Sequence, residues 1–294
     1  MNKDNLPPEI VLEAGTSLWK DAWYRLIRNR AAMVSGFFVI FLMLVAILAP
    51  WIAPYEFDAI HYEDIGVAPS LNYLFGADVL GRDLFTRCLH GLRISLAVGL
   101  VATSVSFIIG VTWGAVAGFI GGKVDSVMMR IVDVLYALPY MFFVIILMTI
   151  FGRNILLLFV ALGAVQWLTM ARIVRGQVMS LKHKEFVEAA YSIGARKRLI
   201  IFRHLIPNAL GPIIVYTTLT IPHVILQEAF LSFLGLGVQA PMASLGSLAS
   251  DGAQAMELYP WLIIFPGTIL VLLLFAMNYL GDGLRDALDP RMKQ

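Results

Sequence analysis

Charged residues are scarce in this chain of 294 residues: 22 Lys and Arg together with 20 Asp and Glu make up only 14% of it. Soluble domains carry about 25% charged residues, and disordered chains are poorer in apolar residues. This composition excludes both classes, because so few charges could not keep 59% hydrophobic residues in solution. The mean hydropathy of +0.79 instead indicates a protein that crosses a membrane several times.

Several features of enzymes are missing as well. The single cysteine, Cys88, has no disulfide partner and no metal-ligand spacing around it, so we interpret it as a small apolar residue. There is no G-x-x-x-x-G-K-[ST] phosphate loop, since the Gly122-Lys123 pair is followed by Val124. Neither H-E-x-x-H nor G-x-S-x-G occurs. We expect no catalysis, metal or bound cofactor in this chain, so any energy that it uses must come from another polypeptide or an ion gradient.

Long uncharged stretches, by contrast, are abundant. A helix needs about 20 apolar residues to cross the hydrocarbon core of a membrane. Six candidate spans lie between successive charged side chains, at residues 31–55, 94–122, 134–152, 154–171, 204–227 and 258–281. They predict an all-α polytopic membrane protein with six transmembrane helices. Residues 235–250 are rich in glycine and contain Pro241, which indicates a loop or re-entrant segment rather than a seventh helix.

The basic residues are divided unequally by these spans. With six spans, all but four of the 22 Lys and Arg residues fall on one side of the membrane. The positive-inside rule then predicts that both the N- and the C-terminus are cytoplasmic. The first span begins too late and is too long for a cleaved signal peptide, so we interpret it as a retained anchor. Trp19, Trp23 and Tyr24 before it indicate either a short amphipathic helix on the inner surface or a solvated arm.

The longest inner loop, residues 172–207, is basic yet patterned like folded structure. Its segment KEFVEAAYSI, which starts at Lys184 and Glu185, favours a helix, and Gly194 follows where a left-handed cap would end it. A second helical segment leads to Pro207, where we expect the chain to re-enter the membrane. Helix, glycine, helix and proline predict a compact unit on the cytoplasmic face.

This loop resembles the cytoplasmic loop of importer-type ABC permeases, whose motif reads E-A-A, three residues, G, nine residues, I, one residue, L-P. The matching residues are Glu188, Ala189, Ala190, Gly194 and Pro207. His204 stands in the isoleucine position and Ile206 in the leucine position. Other segments, among them FGADVLGRDLFTR at 75–87 and GDGLRDALDP at 281–290, are similar to the dipeptide and oligopeptide branch, and closest to its C-type membrane subunits.

The resemblance implies a fold and a set of partners. The expected fold is the importer-type transmembrane domain, with an N-terminal arm, first span and outer segment in residues 1–92 and a permease core in residues 93–294. In the family, the first short helix of the loop docks on an ATP-hydrolysing subunit, so we call residues 172–207 the coupling loop. The implied partners are a second, homologous permease subunit, two cytoplasmic subunits that use ATP and Mg²⁺, and an extracytoplasmic peptide-binding protein, at the bacterial inner membrane; nucleic acid is not expected.

The function implied by the resemblance is half of the translocation pathway of an ATP-driven oligopeptide importer. The same role in a dipeptide or nickel importer stays open, because those permeases share most of the motifs. An ion-driven secondary transporter is disfavoured, since inverted repeats with paired broken helices are not evident and the coupling loop would be unexplained.

A polar group in the first outer segment is a candidate site. Asp78, Arg82 and Asp83 lie near glycines that allow tight turns. They indicate either contact with the binding protein or local capping and ion pairs. Residues 235–257 are the second outer feature, and in the family this region helps to form the outer gate.

Polar residues within the spans form another candidate site. His223, Gln227 and Glu228 lie in the fifth span, and the four-residue spacing places His223 and Gln227 on one helix face. Ionisable residues inside a span usually face a cavity or a partner. The three residues therefore predict either a pathway or gate position or contacts between helices, with Glu228 near enough to the outer boundary to reach water. Gly110, Gly114 and Gly118 predict close packing against a neighbouring helix.

Overall fold

The computed structural model describes residues 18–152 and 154–288, and within these ranges it is helical with no β-strand. In chain order the elements are α1 (Leu18–Arg28), α2 (Arg30–Ile52), α3 (Leu84–Ile120), α4 (Gly122–Ala137), α5 (Tyr140–Phe151), α6 (Ile155–Leu181), α7 (Glu185–Ser192), α8 (Lys197–Leu199), a π-helical turn (Ile200–Leu205), α9 (Ile206–Phe233), α10 (Leu245–Ala255) and α11 (Trp261–Leu288). A 3₁₀ turn, Tyr62–Asp64, lies in the connection between α2 and α3.

Five helical runs in the described residues are long and apolar enough to cross a membrane: α2, α3, α6, the continuous run Lys197–Phe233 and α11. The third predicted span, 134–152, is not one straight helix. α4 and α5 meet there at 82°, and they make a sixth span only if the bent pair counts as one. Pro139 causes the break, because it lacks an N–H and disfavours helical geometry at Leu138, whose ψ is 125°. The all-helical, multi-span prediction is confirmed, and the uninterrupted third span is wrong.

Two spans extend beyond the limits that charged residues suggested. α3 begins at Leu84 rather than at 94, so Arg87 and Arg93 lie within the helix, and the division at residue 92 falls inside it. The fifth span begins at Lys197 rather than at 204. Charge marks the start of α3 poorly because Arg87 is buried against Asp78 instead of standing at a water boundary.

The centre of the fold is the pair α3 and α6, which pack along a row of small residues. The predicted glycines Gly110, Gly114 and Gly118 all lie on this seam. A Cβ atom on Gly114 would lie 2.3 Å from the backbone oxygen of Ala171, and one on Gly118 would lie 2.8 Å from that of Arg175. Only glycine permits this approach of the two backbones, so the prediction of close helix packing is confirmed.

Residues 235–257, which the sequence suggested to be irregular, contain the buried helix α10. Ser244 caps this helix in a capping box with Ser247. A Cβ atom on Gly252 would lie 2.3 Å from the backbone oxygen of Leu262, so α10 packs closely on α11, and it also contacts α3 and α9. Residues 245–255 of this segment are therefore a packed helix, whereas residues 235–244 before it are irregular, as the sequence predicted.

The predicted amphipathic segment before the first span is helix α1. Its side chains Trp19, Trp23 and Tyr24 are all more than half exposed, whereas Ala22 is buried. α1 also contacts α11 near the other end of the chain. This arrangement agrees with an apolar surface that a membrane would cover, although a position on the inner surface stays a prediction.

Candidate coupling surface and transport cavity

The coupling loop is built around α7, whose two faces have different environments. Val187 and Ala190 are buried, at 0% and 4% exposure, in a core that they share with residues of α3, α6 and the π-helical turn. Glu188 and Ala189 are exposed. At its end the ring of Tyr191 stacks on that of Phe119 from α3, with centroids 6.1 Å apart. The apolar contacts fix α7 to the long helices, and the exposed residues are left available to another protein.

The charged residues at the start of α7 face solvent. Lys184 occupies the N-cap position, and Glu185 and Glu188 lie in the first turn, where the helix dipole favours negative charge. All three are exposed, and none takes part in a salt bridge within residues 18–152 and 154–288. The site therefore presents uncompensated charge beside the small side chain of Ala189.

The end of α7 agrees with the sequence, and the next segment does not. Gly194 has φ of +75°, the left-handed conformation expected of the cap, and nothing lies within 4 Å of a Cβ atom placed there. The helix expected to end before Pro207 continues instead through the π-helical turn into α9, with Pro207 in its first turn. The wider turn accommodates a residue that lacks an N–H. His204, in the motif's isoleucine position, is half-buried within this turn, and its carbonyl accepts a hydrogen bond from Asn208 Nδ2 at 2.6 Å.

A cavity of about 920 Å³ lies between the bend of α4 and α5, helix α6 and helix α9. This volume is typical of small-molecule binding sites. Most of the lining is apolar or aromatic, with Leu138, Phe143 and Phe230 among it, and no Lys, Arg, Asp or Glu of the described residues lines it. The bend at Pro139 contributes directly to this wall, so the break in the third span helps to shape the cavity.

Two of the three polar residues predicted in the fifth span line this cavity together. His223 and Gln227 are one turn apart on α9, with Gln227 Nε2 3.2 Å from His223 Nε2. Gln166 of α6 completes the group by donating from Nε2 to Gln227 Oε1 at 2.7 Å. We call Gln166, Gln227 and His223 the polar strip. Gln227 and His223 were predicted as a site and Gln166 as a weaker candidate, and the contact between Gln166 and Gln227 depends on how α6 and α9 pack.

The third predicted residue, Glu228, points away from the cavity. It is fully buried, and its Oε1 accepts hydrogen bonds from Ser232 Oγ at 2.8 Å and Ser244 Oγ at 2.7 Å. The expectation that Glu228 reaches water is therefore wrong. Because Ser244 caps α10, the carboxylate of Glu228 fixes the start of that helix to α9. Glu228 directly follows Gln227, so the two side chains are turned by about 100° from each other around the helix. This turn is enough to place Gln227 in the cavity wall and Glu228 in the packed interior.

Asp78, Arg82 and Asp83 are brought together in the connection between α2 and α3, and all three are buried. The Asp78 carboxylate accepts hydrogen bonds from two backbone N–H groups at 2.8 and 2.9 Å, from Arg82 Nε at 2.8 Å, and from Arg87. Asp83 caps α3 by accepting a hydrogen bond from the Thr86 backbone N–H at 2.7 Å. Burial would raise the pKa of Asp78, but the charge of Arg87 and the backbone N–H groups hold it below its usual value. This geometry favours the local capping and ion pairing that the sequence left open.

Two ion pairs that hold α4 on α6 were missed at the sequence level. Asp125 makes a two-point contact with Arg175, with oxygen–nitrogen distances of 2.5 and 2.6 Å. Asp133 pairs with Arg172 at 2.9 Å, and the Arg172 guanidinium lies 4.2 Å from the ring centre of Tyr136, a cavity-lining residue. The eight-residue spacing of the aspartates and the three-residue spacing of the arginines place each pair on one helix face. This spacing is visible in the sequence, but the sequence does not show which helices are neighbours.

A bundle of membrane-spanning helices around a cavity, with an exposed helix fixed to one end, defines a membrane-embedded transporter subunit rather than an enzyme. Residues 110–294 match the family model described as the binding-protein-dependent transport system inner membrane component. Residues 17–69 match the N-terminal transmembrane domain of oligopeptide transport permease C. The chain belongs to the family of binding-protein-dependent transport system inner membrane components.

Relatives match over nearly the full length. The oligopeptide transport system permease protein OppC of Haemophilus influenzae is 51% identical, over 96% of this chain and 91% of its own. OppC of Bacillus subtilis is 44% identical over 97% and 94%, and the dipeptide transport system permease protein DppC of the same organism is 45% identical over 99% and 91%. A solved structure of the MetNI methionine ABC transporter in an inward facing conformation aligns with a TM-score of 0.57 at 19% identity, covering 70% of this chain and 96% of that one. The fold is therefore that of an importer-type permease.

Proposed function

We propose that this chain forms half of the translocation pathway of an ATP-driven oligopeptide importer and couples that pathway to cytoplasmic ATPase subunits. The single observation that carries the coupling role is the two-sided environment of α7. Val187 and Ala190 fix it into the core of the long helices, whereas Glu188 and Ala189 are exposed beside unpaired charge. When a partner subunit bound to the exposed residues changes conformation, it moves this core together with α7.

The coupling runs through packed side chains. α7 shares one core with α3, α6 and the π-helical turn, and α6 and α9 are two walls of the cavity. Closure of the ATPase subunits displaces α7, and a well-packed core transmits that displacement instead of absorbing it. The cavity then changes shape while Gly194 permits the reversal after α7. This chain supplies no chemistry of its own in the cycle; ATP and Mg²⁺ are used by the partners.

The remaining predicted sites take different places in this scheme. His223 and Gln227 line the pathway. Glu228 positions α10, which we assign to the outer gate. Asp78 and its neighbours stabilise the connection beneath a docking surface for the peptide-binding protein, where backbone and nearby exposed side chains make the contact.

The assembly consists of this chain, a second homologous permease subunit, two ATP-binding subunits and an extracytoplasmic peptide-binding protein. We place it in the bacterial inner membrane with both termini of this chain cytoplasmic, which puts the coupling loop on the side where ATP is found. The basic residues support this orientation, since all but four of the 22 lie on the same side when six spans are counted. Residues 1–92 and 93–294 are proposed as its two parts, joined rigidly by α3.

A dipeptide importer is the second candidate, and a specific observation favours keeping it. DppC of Bacillus subtilis is 45% identical to this chain, and OppC of the same organism is 44% identical. Overall similarity therefore does not separate the two substrates. The nickel importer is less well supported, because the described residues contain no group of three His, Cys, Asp or Glu side chains that could bind a metal ion.

The test is uptake of labelled di-, tri- and pentapeptides by cells that lack this chain, with and without its restoration from a plasmid. We expect restoration to recover tri- and pentapeptide uptake and vanadate to block it. Recovery of dipeptide uptake alone would support the second candidate. Transport by the purified chain alone in liposomes would contradict any ATP-driven role.

A further inference from the structure

The polar strip is a hydrogen-bonding row in the mostly apolar wall that α6 and α9 present to the cavity, to which α6 also contributes Trp167 and Thr169. Gln166 is buried at 6% exposure, Gln227 is half-buried, and His223 is exposed. The strip therefore runs from the packed wall outward to the open side. Ordinary helix packing does not need such a row, since the neighbouring contacts of α6 and α9 are made by aliphatic residues.

The internal hydrogen bonds of the strip leave part of its capacity unused. A glutamine side chain has two N–H donors and one carbonyl acceptor, and a neutral imidazole has one donor and one acceptor. The bonds at 2.7 and 3.2 Å use one N–H of Gln166 and one N–H of Gln227. Among the hydrogen bonds within residues 18–152 and 154–288, none uses Gln166 Oε1 or His223 Nδ1. Because these groups border the cavity, they can bond to a ligand or to water there.

The direction of the strip can also be reversed. If both amides turn over and His223 changes tautomer, His223 donates to Gln227 and Gln227 donates to Gln166. The free group of His223 then changes from a donor to an acceptor, and the free group of Gln166 changes from an acceptor to a donor. A site of this kind can meet either an N–H or a C=O group at the same place. It carries no fixed charge, and no charged residue of the described chain lines the surrounding cavity.

These properties fit the main chain of a peptide. Each peptide unit presents one N–H and one C=O, the same pair of groups that a glutamine amide carries. The variable side chains of the peptide would lie against apolar and aromatic walls such as Phe143 and Phe230. Apolar contacts of this kind do not require hydrogen bonds in particular directions. Recognition of the main chain with tolerance of the side chains is the selectivity that such a lining produces.

We propose that Gln166, Gln227 and His223 recognise the main-chain amides of a peptide in transit, so that this chain itself selects amide-linked substrates independently of their side chains. The inference rests on the proposed function, because it requires that the cavity is part of the pathway. Gln166 is the most important residue for this proposal, because it holds Gln227 in place from the opposite helix.

The experiment compares uptake of labelled trialanine with uptake of its ester analogue, in which an oxygen replaces the N–H of the second residue. Cells express the complete importer with the natural chain, Gln166→Leu, Gln227→Met or, as a control that also removes one hydrogen-bonding side chain, Ser104→Ala. Ser104 is exposed on α3, bonds to the backbone oxygen of Leu100 in its own helix, and does not line the cavity. Selection by the binding protein is the same in every strain and cancels from the comparison. Immunoblots of the membranes correct for the amount of each variant.

We expect the natural chain and Ser104→Ala to prefer the amide by about tenfold, the effect of one or two hydrogen bonds. Gln166→Leu and Gln227→Met should reduce the preference to about twofold by slowing amide uptake while leaving ester uptake unchanged. An unchanged preference in both cavity variants at normal abundance would overturn the proposal while leaving the transport function intact. If the natural chain takes up neither compound, the proposed function fails and the strip proposal fails with it.

Discussion

The two charged clusters of this molecule, the Asp78 group and the start of α7, use charge in opposite ways. Asp78, Arg82 and Asp83 are buried, Asp78 bonds to Arg82 and Arg87, and Asp83 accepts a hydrogen bond from the backbone N–H of Thr86. Lys184, Glu185 and Glu188 are exposed and make no ion pair in the described parts of the chain. In the sequence, the start of α7 resembled a docking surface, whereas the Asp78 group left docking and local capping both open. Buried, paired charges define a local structure, and exposed charges remain available for a partner.

Removing the charge of Asp78 tests the buried cluster and has the largest expected effect. Asp78→Asn leaves the Arg87 guanidinium buried without a counter-charge, which costs about 3 kcal/mol. Cys88 is the only cysteine of the chain and is 1% exposed beside Arg87. We expect its labelling by a maleimide to accelerate by about a hundredfold, because local opening becomes more frequent. The matched control is Asp58→Asn, an exposed aspartate on the same connection, which should label at the natural rate. Equal rates in the two variants would mean that the ion pair does not stabilise this region.

Reversing the charge of Glu188 tests the exposed cluster. Glu188→Lys should reduce peptide uptake by about tenfold or more, since the charge seen by the ATPase subunit is inverted at a docking surface. Cys88 labelling should stay at the natural rate, because Glu188 is exposed and has no partner to lose. Gly194→Asp should produce the same separation by straining the left-handed cap. Normal uptake by both variants would remove the coupling role from α7.

Acid should weaken the stabilising contribution of Asp78 in the buried cluster. The pKa of Asp78 is depressed in the folded chain, so its stabilising contribution is complete above the ordinary value near 4 and is lost as the pH falls through the lower folded-state value. Hydrogen-exchange protection of residues 76–88, corrected for the intrinsic pH dependence, should be flat from pH 7 to 5 and fall several-fold below about pH 4. Asp78→Asn should remove this dependence. A fall of the same size in that variant would assign the pH dependence to other carboxylates.

Neutralising Glu185 has the smallest expected effect. The side chain is exposed and unpaired, so Glu185→Gln should change the stability of the assembly by less than about 0.5 kcal/mol. Uptake should fall by less than about twofold, because Glu188 remains. The measurements are thermal unfolding and uptake at normal membrane abundance. A loss as large as that of Glu188→Lys would show that the docking charge is spread along the first turn of α7.

Local chemistry predicted much of this molecule. The all-helical fold, the helix after Lys184, the glycine cap and the glycine seam followed from hydropathy, propensity and spacing. The features that the sequence did not predict depend on contacts between residues that are far apart in the chain. The burial of Glu228 depends on Ser244, which is 16 residues later, and the position of Gln227 depends on Gln166, which is 61 residues earlier. A single sequence without its contacts could not assign those partners.

Helix α3 is much longer than a membrane requires. Its 37 residues extend for about 55 Å at 1.5 Å per residue, against a hydrocarbon core of about 30 Å. One end is capped by Asp83, and the other carries Phe119, which stacks on Tyr191 of α7. The two charged clusters therefore lie at opposite ends of α3. A tilt of about 5° moves the ends by about 5 Å relative to each other, so leverage alone can carry a small inner movement across the bilayer without unfolding any turn of the helix.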